Sequence, residues 1–170
     1  KKESPTRRPN RRSQNRNREK LDLLLEKLKF HFHNIKVASD QSFREWDLAI
    51  DIAEEAQVSK KEILDIVNFA ENEGARTAIS NIHINIWFGD YTKEQMSLKV
   101  LKELSLNSKN VLYVGDSPND SPMFNYFEST VGVKSVMNYE GLIETYPKYI
   151  TKKDEGNGFV ELMDFLISTR

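Results

Sequence analysis

Two carboxylates and an amide stand close together behind a short apolar run. Val111 to Asp120 reads VLYVGDSPND, with Asp116, Asn119 and Asp120 in one turn. The apolar residues Val111–Val114 have the length and composition of a strand buried on both faces, as in parallel sheets flanked by helices. In such sheets ligands gather at the carboxyl ends of the strands. Asp116 lies two residues past Val114, with Gly115 between them to allow a tight turn. A carboxylate at that edge suits Mg2+, a hard cation that keeps several waters and needs only one or two carboxylates besides a substrate phosphate. Asn119 and Asp120 follow in the same loop, where they can orient water or phosphate oxygens. A plain strand-to-helix turn, with Asp120 or Ser121 as cap and Pro122 as an early helical residue, explains part of the pattern. It does not explain an Asp and an Asn in this order after a buried strand.

Lys93 is a further candidate. With Thr92 as the cap of the helix that follows, Lys93 falls in the first turn, where the helix dipole disfavours a cation. An anion held between the lysine and the helix start offsets that cost.

These residues need elements to hold them. Leu21, Leu24, Leu25 and Leu28 repeat at helical spacing, predicting a helix from near Arg16 to near His33. Strand-like runs follow at Ile35–Ser39 and Trp46–Ile52; in the second, Trp46, Leu48, Ile50 and Ile52 alternate with Asp47, Ala49 and Asp51. Ser59 and Glu62 fit a capping box, Ile63, Ile66, Val67 and Ala70 form a helical stripe, and Gly74 supplies the stop. Arg76–Ser80 and Ile82–Phe88 read as a strand pair, the second with Ile82, Ile84, Ile86 and Phe88 on one face and His83, Asn85 and Trp87 on the other. A helix carrying Met96, Val100, Leu101 and Leu104 precedes the Val111 strand. Beyond it come a short helix over about 121–127, strands at Thr130–Val133 and near Tyr149–Thr151, a turn at Gly156–Gly158, and a last helix with Phe159, Leu162, Met163 and Leu166. Strand pairs and helices up to Asp90 suggest an α+β layer, and alternating helix and strand from Lys93 suggest a parallel sheet. The boundary falls at Phe88-Gly89-Asp90.

The 170 residues suffice for one domain or two small ones. No apolar run approaches the roughly 20 residues that span a bilayer, and no secretion signal opens the sequence. Without cysteine there is neither a disulfide framework nor a thiolate metal site, and a cytoplasmic setting is the expectation. The net charge of −1 conceals an asymmetry, because residues 1–20 hold nine Lys or Arg against two Glu. This basic arm has no aromatic residue to stack on bases and the body behind it is acidic, so a solvated linker or helix start is expected rather than a nucleic-acid site.

The stretch GDSPNDSPMF resembles the fourth motif of haloacid dehalogenase-like phosphatases, Gly-Asp-x-x-x-Asp with Asn before the second Asp. Ser80–Lys93, SNIHINIWFGDYTK, resembles the junction between cap and core in the cap-bearing subfamily that includes sucrose-phosphate and mannosyl-3-phosphoglycerate phosphatases. The ending YITKKDEGNGFVELM resembles the segment after the last core strand of that subfamily, and the likeness spans residues 18–168. The resemblance implies an α/β fold, a partial Rossmann-like haloacid dehalogenase core with an α+β cap domain. It divides the chain into a basic linker (1–17), a cap (18–90) and the carboxy-terminal half of the core (91–170). It implies a Mg2+-dependent phosphomonoester hydrolase acting on a sugar phosphate or similar small metabolite. In that family Asp116 would be a Mg2+ ligand, Asp120 would steady the ion's surroundings, Asn119 would contact substrate or phosphate, and Lys93 would neutralise the nucleophile and the transferring phosphoryl group. His83 and Asn85, on the polar face of a cap strand, and Arg44 are candidates for substrate specificity.

The departure from the family is as informative. These enzymes open with an apolar strand ending in Asp-x-Asp, whose first Asp attacks phosphorus, and no such strand occurs in the 170 residues. Asp47 and Asp51 sit in D-L-A-I-D within a strand pair, and Asp40 lies in a polar turn. The expectation is a fragment whose nucleophile lies upstream and which alone has no phosphatase activity. His31 and His33, two apart, face different ways on a helix and make no metal pair, and Trp46 and Trp87 suit a core or cap surface. A non-catalytic module binding a phosphorylated ligand or a protein is the alternative. A fragment of a cation-pumping ATPase, which shares a similar loop, fits less well given the cap-like junction and the absence of a membrane segment.

Overall fold

The computed structural model describes residues 11–169, and they divide into two compact units, one ending at Asp90 and the other beginning at Tyr91. In the first, helix α1 (Arg11–His31) begins earlier than the leucine repeat alone indicates. Residues 11–17 of the stretch read as a linker are therefore helical, and its residues 1–10 lie outside the described part. Strands β1 (Lys36–Val37), β2 (Leu48–Asp51), β3 (Arg76–Ile79) and β4 (His83–Trp87) form an antiparallel sheet in the order β1-β2-β4-β3, and α2 (Lys60–Asn72) lies between β2 and β3 in the chain.

Alternation along the strands decides which side of this sheet is dry. Leu48 and Ile50 pair with Ile86 and Ile84, and with Ile52 and Phe88 they pack against Leu21, Leu24 and Leu28 of α1 and Ile63, Ile66 and Ala70 of α2. Ser59 caps α2, its hydroxyl accepting the Glu62 N–H at 3.3 Å. Gly74 takes the left-handed backbone (φ 83°) that ends the helix.

The opposite face holds Ala49, Asp51, His83 and Asn85, and it is less open than the alternation suggests. Ala49, Asp51 and His83 are all buried. Gln41 substitutes for a strand residue beside β2, donating Nε2 to the Asp47 carbonyl (3.0 Å) and accepting the Ala49 N–H (2.8 Å). The Asp51 carboxylate accepts the backbone N–H groups of Ala53, Glu54, Glu55 and Ala56 at 2.7–3.1 Å, closing the turn after β2.

The second unit contains α3 (Lys93–Glu103), β5 (Leu112–Gly115), α4 (Ser121–Tyr126), β6 (Ser129–Gly132), β7 (Tyr149–Ile150) and α5 (Glu155–Ser168). Its three strands are parallel in the order β5-β6-β7. Thr92 caps α3 by accepting the Gln95 N–H at 3.1 Å. The expected turn at Gly156–Gly158 is instead the first turn of α5. Glycine is needed at Gly158 because a Cβ there would lie 2.4 Å from the Lys153 carbonyl and 2.6 Å from the Thr151 hydroxyl.

Burial in this unit departs from the expected double-sided layer. β6 is buried over Thr130–Gly132, but every residue of β5 is only half-buried. Among the described residues no strand pairs with the outer edge of β5. The apolar stripe of α3 is open as well, with Met96 59% and Leu104 62% exposed.

Asp51 gives the first unit a defined response to acid. Burial alone would raise its carboxyl, but the four N–H donors hold it below the ordinary value. A carboxyl depressed in the folded state lends stability that is full above its unfolded pKa of about 4 and is lost as pH falls through the folded value. Urea titrations of the 170-residue chain from pH 7 to pH 2 should therefore show stability falling below about pH 4. Asp51→Asn, which turns an amide N–H toward backbone donors, should cost about 1–3 kcal/mol at pH 7 and flatten that acid limb.

Candidate active site

The GDSPND turn is built around Asp120. This carboxylate is 4% exposed, and a buried charge requires donors on its lone pairs. Four donors surround it. Oδ2 accepts the backbone N–H of Asp116 (2.9 Å) and of Ser117 (3.3 Å). Oδ1 accepts Nζ of Lys93 (2.7 Å) and the hydroxyl of Tyr113 (2.5 Å). The side chain thereby folds back against the end of β5, which explains the glycine of the motif. A Cβ on Gly115 would stand 2.5 Å from Asp120 Oδ2 and 2.6 Å from its Cγ, so only glycine leaves room.

Lys93 reaches this turn from the start of α3. Its ammonium donates to Asp120 and also to Oδ1 of Asn119 at 3.0 Å. An ammonium has three donors, so one N–H is left over. The Asn119 oxygen also accepts the Ser117 hydroxyl at 3.3 Å. With its oxygen turned inward, Asn119 presents its NH2 group on the other side. Asp116 differs from Asp120 although the two are four residues apart. It is half-buried, and among the described residues no donor meets its carboxylate. The turn thus sets side by side an uncommitted carboxylate, a spare ammonium N–H and a spare amide NH2. The first suits a hard cation; the other two suit the oxygens of an anion.

Two supports of the turn were not legible beforehand. Tyr113 is one, its ring stacked on Phe127 (centroids 5.7 Å apart, 6° between planes) and edge-on to Phe124 (5.8 Å). Burial, reinforced by Asp120 and Asp116, pushes its phenol far above the ordinary value, so it stays a donor. Ser121 is the other. Its buried hydroxyl accepts the N–H groups of Glu144 and Thr145 at 3.0 Å and donates to the Thr145 carbonyl at 3.2 Å, tying a distant loop to the site.

The specificity candidates lie in the first unit. Arg44 donates Nε and Nη2 to Asp40 (2.7 and 3.0 Å), and Nη1 to Asp47 (2.7 Å) and to Asn85 Oδ1 (3.3 Å). Arg44 in turn holds the Asp40 carboxyl below its ordinary value. Arg44 and Asn85 are thus brought together. His83, 6% exposed, instead pairs with Glu54 at 3.1 Å, and Glu54 also accepts the Ser39 hydroxyl at 2.7 Å. Asp51, Glu54 and His83 place one ligand atom each within 4.8 Å of one another. They fit a cation poorly, because both Asp51 oxygens already take two N–H bonds each. Asp116, with its open carboxylate, fits Mg2+ better.

No curated protein sequence matches the chain. Among solved structures, a protein of Thermoplasma acidophilum is 17% identical, with a TM-score of 0.63 over 86% of this chain and 61% of its own. A sucrose-phosphatase of Synechocystis sp. PCC6803, solved with sucrose and phosphate, is 15% identical, with a TM-score of 0.62 over 89% of this chain and 64% of its own. A Streptococcus mutans UA159 protein is 13% identical, with a TM-score of 0.66 over 89% and 68%. These are likenesses of fold, an α/β core with a cap, and the chain spans less than two thirds of the first two proteins. The family model for haloacid dehalogenase-like hydrolases matches residues 10–163, and the chain belongs to that family.

Proposed function

We propose that this chain forms the metal- and phosphate-holding wall of a Mg2+-dependent phosphomonoesterase that works through an aspartyl-phosphate intermediate. The observation that carries this reading is the unequal use of two neighbouring carboxylates. Asp120 accepts four protein donors, while among the described residues none meets the Asp116 carboxylate. Asp116 would hold Mg2+, which when bound supplies positive charge beside the phosphoryl group and its attacking oxygen. Lys93 would direct its remaining N–H at a phosphoryl oxygen and stabilise the charge that builds there in the transition state. Asn119 would donate its NH2 to a second oxygen. Asp120 would stay off the metal and fix the positions of the other three.

The nucleophile of this reading is an aspartate outside the 170 residues, on a strand ending in Asp-x-Asp. Among the described residues no strand pairs with the outer edge of β5, and its residues are half-exposed, which supports a neighbouring strand there. Phosphorus would pass from substrate oxygen to that carboxylate and then to water. A sugar phosphate or similar small metabolite is the proposed substrate, in keeping with the fold shared with a sucrose-phosphatase. The first unit would act as the cap that selects the leaving group. Arg44 and Asn85 would be its polar contacts, and His83, being buried, would act only by holding Glu54.

Phosphate release from p-nitrophenyl phosphate tests this. The 170-residue chain with Mg2+ should release none, and a longer protein that includes the Asp-x-Asp strand should turn over. Asp116→Ala should lower that rate by about two orders of magnitude or more. Turnover by the 170-residue chain, or an unchanged rate in Asp116→Ala, contradicts the reading. A longer protein that binds Mg2+ and phosphate but never turns over would be a binding module.

A further inference from the structure

Tyr113 lies outside the motif residues and touches the site at a telling atom. Its hydroxyl and the Lys93 ammonium share one oxygen, Asp120 Oδ1, at 2.5 and 2.7 Å. The two donors are unlike. The Lys93 side chain is 51% exposed and ends a flexible stem. The Tyr113 ring is clamped between Phe124 and Phe127, so its hydroxyl is fixed by β5 and α4. On the far oxygen, the Asp116 and Ser117 N–H groups anchor Oδ2. A carboxylate held at one oxygen can still swing about it, and a rigid donor on the other oxygen sets its plane.

We propose that Tyr113 is a positioning residue: its hydroxyl fixes the plane of the Asp120 carboxylate and so aims the Lys93 ammonium. This rests on the phosphatase reading only in giving Lys93 a phosphoryl oxygen to meet. The packing of β5 on α4 does not need the hydroxyl, because the ring contacts supply it. Tyr113→Phe keeps those rings and removes one donor from Oδ1. The carboxylate then pivots on Oδ2, and Lys93 loses a fixed acceptor. No other side chain stands ready to take over, since among the described residues only these two donors meet Asp120 Oδ1.

The test needs neither turnover nor metal. Trace labelling of the 170-residue chain with acetic anhydride, read by peptide mass spectrometry, reports how firmly each lysine amine is held. Lys109 and Lys134 serve as internal controls, since their ion pairs are long (3.7 and 3.8 Å) and their side chains are 69% and 58% exposed. Lys93 should label more slowly than both in the parent chain. In Tyr113→Phe, labelling of Lys93 should rise about three- to tenfold, the factor that one weakened hydrogen bond is worth, with Lys109 and Lys134 unchanged. Asp120→Asn sets the ceiling for a released Lys93. Equal Lys93 labelling in the parent and Tyr113→Phe overturns the proposal, as does a rise shared by the control lysines, which would assign the hydroxyl to the fold. Either outcome leaves the phosphatase assay free to succeed or fail by itself.

Discussion

A carboxylate almost wholly withdrawn from water must be surrounded by donors, and Asp120 imposes that demand on everything near it. Two backbone N–H groups reach it only if the chain doubles back straight after β5. That reversal brings the Asp120 carboxylate to the Cα of residue 115, where no side chain fits. A third donor must come from the strand itself, and Tyr113 provides it. The fourth is Lys93, drawn from the start of another helix. Once these bonds are made, what remains is determined. Among the described residues Asp116 meets no donor, Asn119 has turned its oxygen inward, and one N–H of Lys93 has no acceptor. The chemistry proposed for the site is the residue left when Asp120 has been satisfied.

The two units meet the packing requirement differently. In the first, two helices cover one face of a four-stranded sheet, and Leu28, Ile50, Ile66, Ile84 and Ile86 are completely buried. In the second, Phe124, Val136 and Ile143 form a buried cluster with Tyr113 and Tyr139 against it, and Met123, Phe127, Val131, Val133 and Leu162 are buried as well. Met96 and Leu104 on α3 and Phe165 and Ile167 on α5 remain more than half exposed. Full burial of such side chains stabilises by about 1.5–3 kcal/mol each, a contribution this unit forgoes at several positions. The site rests on the Asp120 network and on the aromatic contacts that join Tyr113 to this core.

Much of this was legible in the sequence because it depends on near neighbours. Ser59 with Glu62, the glycine stop at Gly74, and the alternation of Leu48, Ile50, Ile84 and Ile86 each involve residues a few positions apart. The GDSPND turn is local too, and its residues lie where a parallel strand ends. Long-range facts were not legible. Asp51 and His83 read as a polar open face, yet both are buried by the turn that closes on Asp51 and by Glu54. Gly156 and Gly158 read as a turn because glycine breaks helices, whereas Gly158 is there for close approach to Lys153. Tyr113 looked like one more apolar strand residue, and only its reach across to Asp120, seven positions on, gives its hydroxyl a task. A polar-capable residue inside an otherwise aliphatic strand is the signal that could have exposed it.

In the proposed site Asp116, and not the Asp51–Glu54–His83 cluster, would take the cation. Titrating the 15N-labelled 170-residue chain with substoichiometric Mn2+, a paramagnetic stand-in for Mg2+, reads this directly from the broadening of amide signals. The account predicts broadening centred on Asp116 to Asp120 and the start of α3, competed away by Mg2+ and lost in Asp116→Ala. Broadening centred on Glu54 and His83, or a pattern around Asp116 that survives Asp116→Ala, would contradict it.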